Sequence, residues 1–183
     1  DNLDKPFDWW TLSSNELEAW RSTRLITQIV GLPHIKEAID WSEVSSKNQF
    51  PLTEYILKNL HDEKLNWKQI SQRKEIASLL HTCADKVVWN IVSHEKWFIN
   101  EDDGALIERL KAYKEYLDWS WITEKCSNIL QKYLVEFEEY IDWNILSRKN
   151  LGFTKELIDQ FKDRWNWVAL TKNPAYYNKQ ELV

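Results

Sequence analysis

A seven-residue pattern occurs seven times along the chain: an apolar residue, Asp or Asn, Trp, two variable residues, an aliphatic residue, then Ser or Thr. Its clearest form is Ile141-Asp142-Trp143-Asn144-Ile145-Leu146-Ser147, and the other copies span 7–13, 39–45, 65–71, 87–93, 117–123 and 165–171. Asp and Asn are favoured helix N-caps, because the side-chain oxygen accepts a bond from an orphan backbone N–H. With the cap at Asp142, Trp143 opens the helix, Ile141 precedes the cap and Leu146 takes the fourth helical position. That is the spacing of a hydrophobic staple, which fixes how the chain turns into a helix. Every copy supplies the apolar pair, and six supply Asp or Asn at the cap. Val88 stands there in the fourth copy, so a less clean helix start is expected. The closing Ser or Thr is placed to bond back to a carbonyl one turn earlier, or to end the helix and cap the next segment.

The motif tryptophans Trp9, Trp41, Trp67, Trp89, Trp119, Trp143 and Trp167 are 32, 26, 22, 30, 24 and 24 residues apart. Apolar residues at helical spacing fill the intervals. Asn15 or Ser14 is placed to cap a long helix over 16–30, with Gly31 ending it and Pro33 starting the next turn. The length of this first interval predicts an extra short helix. Thr53 precedes Ile56, Leu57 and Leu60; the next stripe is Ile76, Leu79, Leu80, Cys83 and Val87. Residues 97–104 read as an inserted loop, followed by Leu106, Leu110, Tyr113 and Leu117. Ser127 is the expected cap for Leu130, Tyr133, Leu134, Phe137 and Ile141, and Thr154 for Leu157, Ile158, Phe161 and Trp165. One such helix plus one short tryptophan helix per unit, stacked side by side, predicts an all-α protein. Its architecture would be an α-solenoid of about seven irregular helix-turn-helix repeats, a single domain over 1–183.

The Asp-Trp-x-x-Leu-Ser pattern, best seen at 142–147 and 166–171, resembles tryptophan-centred tandem repeats in uncharacterised bacterial and giant-virus proteins. The likeness runs over nearly the whole chain. It implies a helical tandem repeat and carries no catalytic residue with it.

Composition sharpens this. Three glycines and four prolines argue against an all-β fold rich in tight turns. With no methionine and Asp1 at its start, the sequence reads as a piece of a longer protein or a processed one. A net charge of −5 is not the footprint of a nucleic-acid binder. No apolar run approaches the length of a membrane span, and nothing reads as a signal peptide. Cys83 and Cys126 stand apart with no metal-type spacing, which fits a reduced, cytoplasmic setting.

Two periodic features are candidates for function. The motif tryptophans occupy one fixed place per unit, which is what packing between units requires, so they are assigned to the repeat core. Trp10, Trp20, Trp97 and Trp121 fall off that register and are the better candidates for exposure. Shortly after each motif Ser or Thr, from the second copy on, comes a basic residue: Lys47, Arg73, Lys96, Lys125, Lys149 and Lys172. In a stack these would align as a basic edge suited to phosphates or an acidic protein segment. A cation near a helix end also offsets the helix dipole locally, by about 0.3–1 kcal/mol.

Other residues carry less. The run Glu101-Asp102-Asp103-Gly104 lacks EF-hand spacing. His94-Glu95 does not continue into a two-histidine zinc pattern. His81 and Cys83, two apart, do not share a helix face. No phosphate-binding glycine loop or nucleophile motif is present. The sequence therefore predicts a non-enzymatic recognition or scaffold module, with no cofactor, no metal and no membrane partner. Its expected partner is a protein, with nucleic acid along the basic edge or a purely structural spacer role as alternatives.

Overall fold

In the computed structural model the described residues are 8–14, 18–60, 64–99, 102–174 and 176. They are all-α; no strand occurs among them. Phe7, Asn15, Glu101 and the side chain of Trp10 lie outside this set.

The helices are short, and their starts follow the motif. Helices α1 (Trp9–Ser14), α4 (Trp41–Ser46), α6 (Trp67–Ser71), α8 (Trp89–His94), α11 (Trp119–Leu130), α12 (Trp143–Leu146) and α14 (Trp167–Leu170) each begin on the motif tryptophan. Between them lie α2 (Thr23–Val30), α3 (Pro33–Lys36), α5 (Glu54–Asn59), α7 (Leu80–Cys83), α9 (Lys96–Ile99), α10 (Asp103–Tyr113) and α13 (Lys155–Gln160). Two 3₁₀ segments, Glu18–Arg21 and Lys74–Leu79, complete the set.

The intervals are less regular than the apolar stripes suggest. The helix expected over 16–30 is broken into the 3₁₀ turn Glu18–Arg21 and α2; the cap of α2 is Ser22, whose hydroxyl accepts from the Leu25 amide at 3.2 Å. The first interval does hold an extra short helix, α3, with Pro33 at its start. Thr53 and Thr154 cap α5 and α13 as their positions require. Ser127 caps nothing: α11 runs on past the motif, kinks at Cys126 (φ −112°, ψ 17°) and ends at Leu130. The helix expected through Ile141 is replaced over 131–140 by successive turns. The expected loop at 97–104 is largely helical, holding α9 and the start of α10.

The chain forms two compact units, 1–92 and 93–183. In the first, α4 lies against both α1 and α6, while α5 lies against both α2 and α7. Short tryptophan helices thus neighbour one another, as do the helices of the intervals. The core of this unit includes Ile26, Ile29, Ile56, Leu57, Ile70 and Ile76, all fully buried or within 1% of it. In the second unit α11 lies against α12, and Phe98, Leu106, Leu110, Ile122, Phe137 and Leu146 are completely buried.

Among the motif positions the deepest is not the tryptophan. The aliphatic residue has no exposed surface in six copies: Val44, Ile70, Val92, Ile122, Leu146 and Leu170. The motif hydroxyls Ser13, Ser45, Ser71, Ser93, Thr123 and Ser147 are at most 1% exposed. Trp41 and Trp143 are buried, Trp9, Trp67, Trp89 and Trp119 are half-buried, and Trp167 is 43% exposed. Trp20, one of the off-register candidates for exposure, is buried at 3% and donates its indole N–H to the Leu12 carbonyl at 3.2 Å. Trp97 and Trp121 are half-buried.

Candidate functional site

Each Asp or Asn of the motif caps its helix. Asp8, Asp40, Asn66, Asp118 and Asn166 each accept from the amide three residues on, at 3.0–3.1 Å. Asp142 accepts from both Asn144 and Ile145. The short helix begun by this cap ends on a hydroxyl that turns back into it. Ser13, Ser71 and Ser147 donate to the carbonyls of Trp9, Trp67 and Trp143 at 2.6–2.7 Å.

The same hydroxyl then accepts from the next copy. The Asp40 amide donates to Ser13 at 3.1 Å, Asn66 to Ser45 at 2.7 Å and Val88 to Ser71 at 2.8 Å. In the second unit Asp118 donates to Ser93 at 3.1 Å, Asp142 to Thr123 at 3.1 Å and Asn166 to Ser147 at 3.0 Å. Three such junctions lie in each unit. The donor in every case is the backbone N–H of the cap residue, and each bond is part-buried; an N–H shielded from water needs a protein acceptor. Val88 therefore serves as donor although its side chain cannot cap.

The tryptophans close the other side of the turn. Trp41, Trp89, Trp119, Trp143 and Trp167 each donate the indole N–H to the carbonyl five residues earlier, at 2.7–2.9 Å. These bonds take carbonyls left open where the preceding segment ends. In the second unit the rings also meet aromatic residues downstream. Trp119 lies 5.2 Å from Phe137 and 5.3 Å from Tyr140; Trp143 lies 5.2 Å from Phe161 and 4.9 Å, edge-on, from Trp165.

The six basic residues do not share one environment. Lys47 is half-buried and pairs with Glu43 at 3.5 Å. Arg73, also half-buried, donates to the Phe50 carbonyl at 2.7 Å, across the turn that Lys47 opens. Lys149 pairs with Glu124, and that contact lowers the Glu124 pKa. Lys125 places its ammonium 4.6 Å from the Trp121 ring centroid. Lys96 and Lys172 are exposed. Their register differs too: Lys47, Arg73, Lys125 and Lys149 follow the motif hydroxyl by two residues, Lys96 by three and Lys172 by one. At the two-residue position of the last copy stands Asn173, 3% exposed, whose amide donates to the carbonyls of Ser147 and Lys149 at 3.2 and 2.6 Å. Arg73 and Asn173 thus hold the turn of the preceding copy. Sequence spacing does not disclose which of these side chains reaches back in this way.

A second cluster carries no sequence signal at all. His94 Nε2 lies 2.9 Å from the Asp118 carboxylate, and its ring stands 4.3 Å from that of Trp121. Burial opposes ionisation of Asp118, but the Trp121 amide, His94 and the Ser120 amide outweigh it and hold its pKa below the usual aspartate value. The Trp121 indole N–H is buried and finds no hydrogen-bond partner among the described residues. Asp102, from the acidic run, accepts from the Ala105 amide at 3.0 Å and caps α10. Among the described residues no group of three His, Cys, Asp or Glu is placed to hold a metal ion, and no helix is long and apolar enough to cross a membrane.

Compared with known proteins, the chain matches no family model, no curated protein and no solved structure. What fold and site define is a class by geometry: an all-α protein whose Trp-headed helices are joined by hydroxyl bridges between copies.

Proposed function

We propose that this chain is a non-catalytic recognition or scaffold module, an α-solenoid of stacked units that offers its surface to a protein partner. The observation that carries this reading is the sixfold recurrence of the Ser/Thr junction across intervals of different length. A junction that takes its donor from backbone lets units stack in series, and stacked units build an extended binding surface. The polar groups at the centre of each copy are occupied in joining copies, which leaves the outer faces for recognition.

Excision of one whole interval tests the modular part of the proposal. Removing 144–167 joins Trp143 to Val168 and rebuilds one motif from two halves. A stack loses one unit and still unfolds cooperatively; a molten or aggregated product would count against it.

Nucleic-acid binding is the second reading, and it rests on the exposed Lys96, Lys125 and Lys172. Titration with single- and double-stranded DNA and RNA at low and moderate salt separates the two, using a variant with these three lysines changed to Glu. Phosphate contacts release counterions, so true binding would fall steeply with salt and vanish in the variant. No binding at low salt is expected for a protein-binding surface.

A further inference from the structure

We propose that the joint between Ser93 and Asp118 is pH-sensitive: protonated His94 clamps the Asp118 carboxylate and tightens the joint in mild acid, and the clamp loosens as His94 loses its proton.

Two contacts tie the same short segments together. The Asp118 amide donates to the Ser93 hydroxyl at 3.1 Å, and His94 Nε2 lies 2.9 Å from the Asp118 carboxylate. The carboxylate also caps α11, accepting from the Trp121 amide at 3.1 Å. A change at His94 therefore acts on the residue that both starts the helix and closes the joint. His94 stands directly after the joint hydroxyl, a place held in the other joints by Ser14, Ser46, Gln72, Glu124 and Arg148. Only a histidine there changes its charge between pH 5 and 8.

The sign follows from the chemistry of the ring. A neutral imidazole has one donor and one acceptor nitrogen, so one of its two tautomers turns a lone pair toward the carboxylate. The cation presents an N–H from either nitrogen and adds opposite charge, which strengthens the bond. The ring also stands 4.3 Å from that of Trp121, whose face attracts a cation. The charged groups nearby are few. Lys125, 4.6 Å from the same indole, opposes a second cation there; the carboxylate in direct contact outweighs it, since Coulomb attraction falls with distance. The Asp142 carboxylate is linked to α11 through the Ser120 hydroxyl at 2.9 Å, and Glu95 and Lys96 follow His94 in the chain. Burial notwithstanding, the Trp121 amide and His94 keep the Asp118 pKa low, so its charge persists throughout the histidine range. The clamp is thus present on the acid side of that range and lost as pH rises through it.

Native-state hydrogen exchange of the full chain, read by NMR at the Asp118 amide, tests this at about pH 5.5 and 7.5, on either side of the ordinary histidine value. Rates are divided by those of an unstructured chain at the same pH, which removes the intrinsic pH dependence of exchange. Protection should be roughly two- to fivefold higher at the lower pH, the range of a part-exposed ion pair. In His94→Gln, which can donate but cannot gain a proton, the rise should vanish. It should vanish too in Asp118→Asn, which keeps a cap and loses the charge.

An equal rise in the unaltered chain and in His94→Gln would trace the effect to another group and overturn the proposal, as would no rise in the unaltered chain. A rise lost in His94→Gln but kept in Asp118→Asn assigns the effect to the Trp121 ring and overturns the carboxylate clamp. Should His94→Gln not fold, the unaltered chain decides: the Asp118 amide resonance must follow the His94 ring through one midpoint, and separate midpoints reject the clamp.

Discussion

The backbone amide of Asn166 donates to the hydroxyl of Ser147 across 3.0 Å, while that hydroxyl donates to the Trp143 carbonyl at 2.6 Å. One oxygen thus ends one short helix and receives the start of the next, in complete burial. Removing it takes from the part-buried Asn166 amide its acceptor in this junction. Ser147→Ala should therefore cost about 1–3 kcal/mol, the penalty of leaving a donor without its acceptor. Ser147→Thr should cost less, since Thr123 fills the same role. Urea unfolding of the two variants checks this; equal loss for both would show that volume, not the hydroxyl, decides.

The tryptophans separate ring packing from hydrogen bonding. Trp143→Phe keeps an aromatic ring but loses the bond to the Glu138 carbonyl, an expected loss of about 0.5–1.5 kcal/mol. Trp143→Ala also opens a cavity beside Phe161 and Trp165, an expected loss of about 3–5 kcal/mol. Trp167→Ala, at an exposed ring, should cost clearly less than Trp143→Ala. Thermal or chemical denaturation of the three variants ranks them, and a different order would refute the burial argument.

Asp118 predicts an acid-sensitive step. Its pKa is lowered in the folded chain, so the unfolded chain takes up this proton at higher pH. The stability it supplies is fully present above the ordinary aspartate value of about 3.9. It is lost as pH falls from there through the lower, folded value. Asp118→Asn keeps a cap, as Asn66 and Asn166 demonstrate, and abolishes the titration. Melting temperature should fall less steeply with acid in this variant below about pH 4. Parallel curves would remove Asp118 from the acid response.

Both thiols should be inert in the native protein. Burial, with Asp85 adding to it, pushes the Cys83 thiol up to about 12, and burial raises Cys126 as well. The thiolate is the reactive form, so a disulfide reagent at pH 8 should label neither until the chain is unfolded. Rapid native labelling of Cys83 would contradict its 1% exposure.

The caps and helix starts are legible in the sequence, because Asp, Asn and the adjoining Trp act within four residues. The bridge from each hydroxyl is not. Its donor is a main-chain N–H, which every residue but proline carries, and Val88 shows that no side-chain signature marks it. The helix expected after Ser127 fails for a local reason. Tyr133, Val135 and Phe137 are weaker helix formers than the apolar pattern alone reveals, and the segment settles into turns that still bury Leu134 and Phe137. The basic residues expected to line one edge differ in what they touch: Arg73 donates to the Phe50 carbonyl and Lys149 pairs with Glu124, contacts that sequence spacing does not disclose. The His94–Asp118 pair brings together residues 24 apart, which only the folded chain makes neighbours.

The hydroxyl bridge joins residues 27, 21, 17, 25, 19 and 19 positions apart with the same geometry. The joint specifies its two ends and is indifferent to how much chain lies between them. Lengthening a flexible connection costs little, about 0.6 kcal/mol per doubling. An interval can therefore gain or lose residues while the joints at its two ends hold their place, so that a change of length in one segment need not disturb its neighbours.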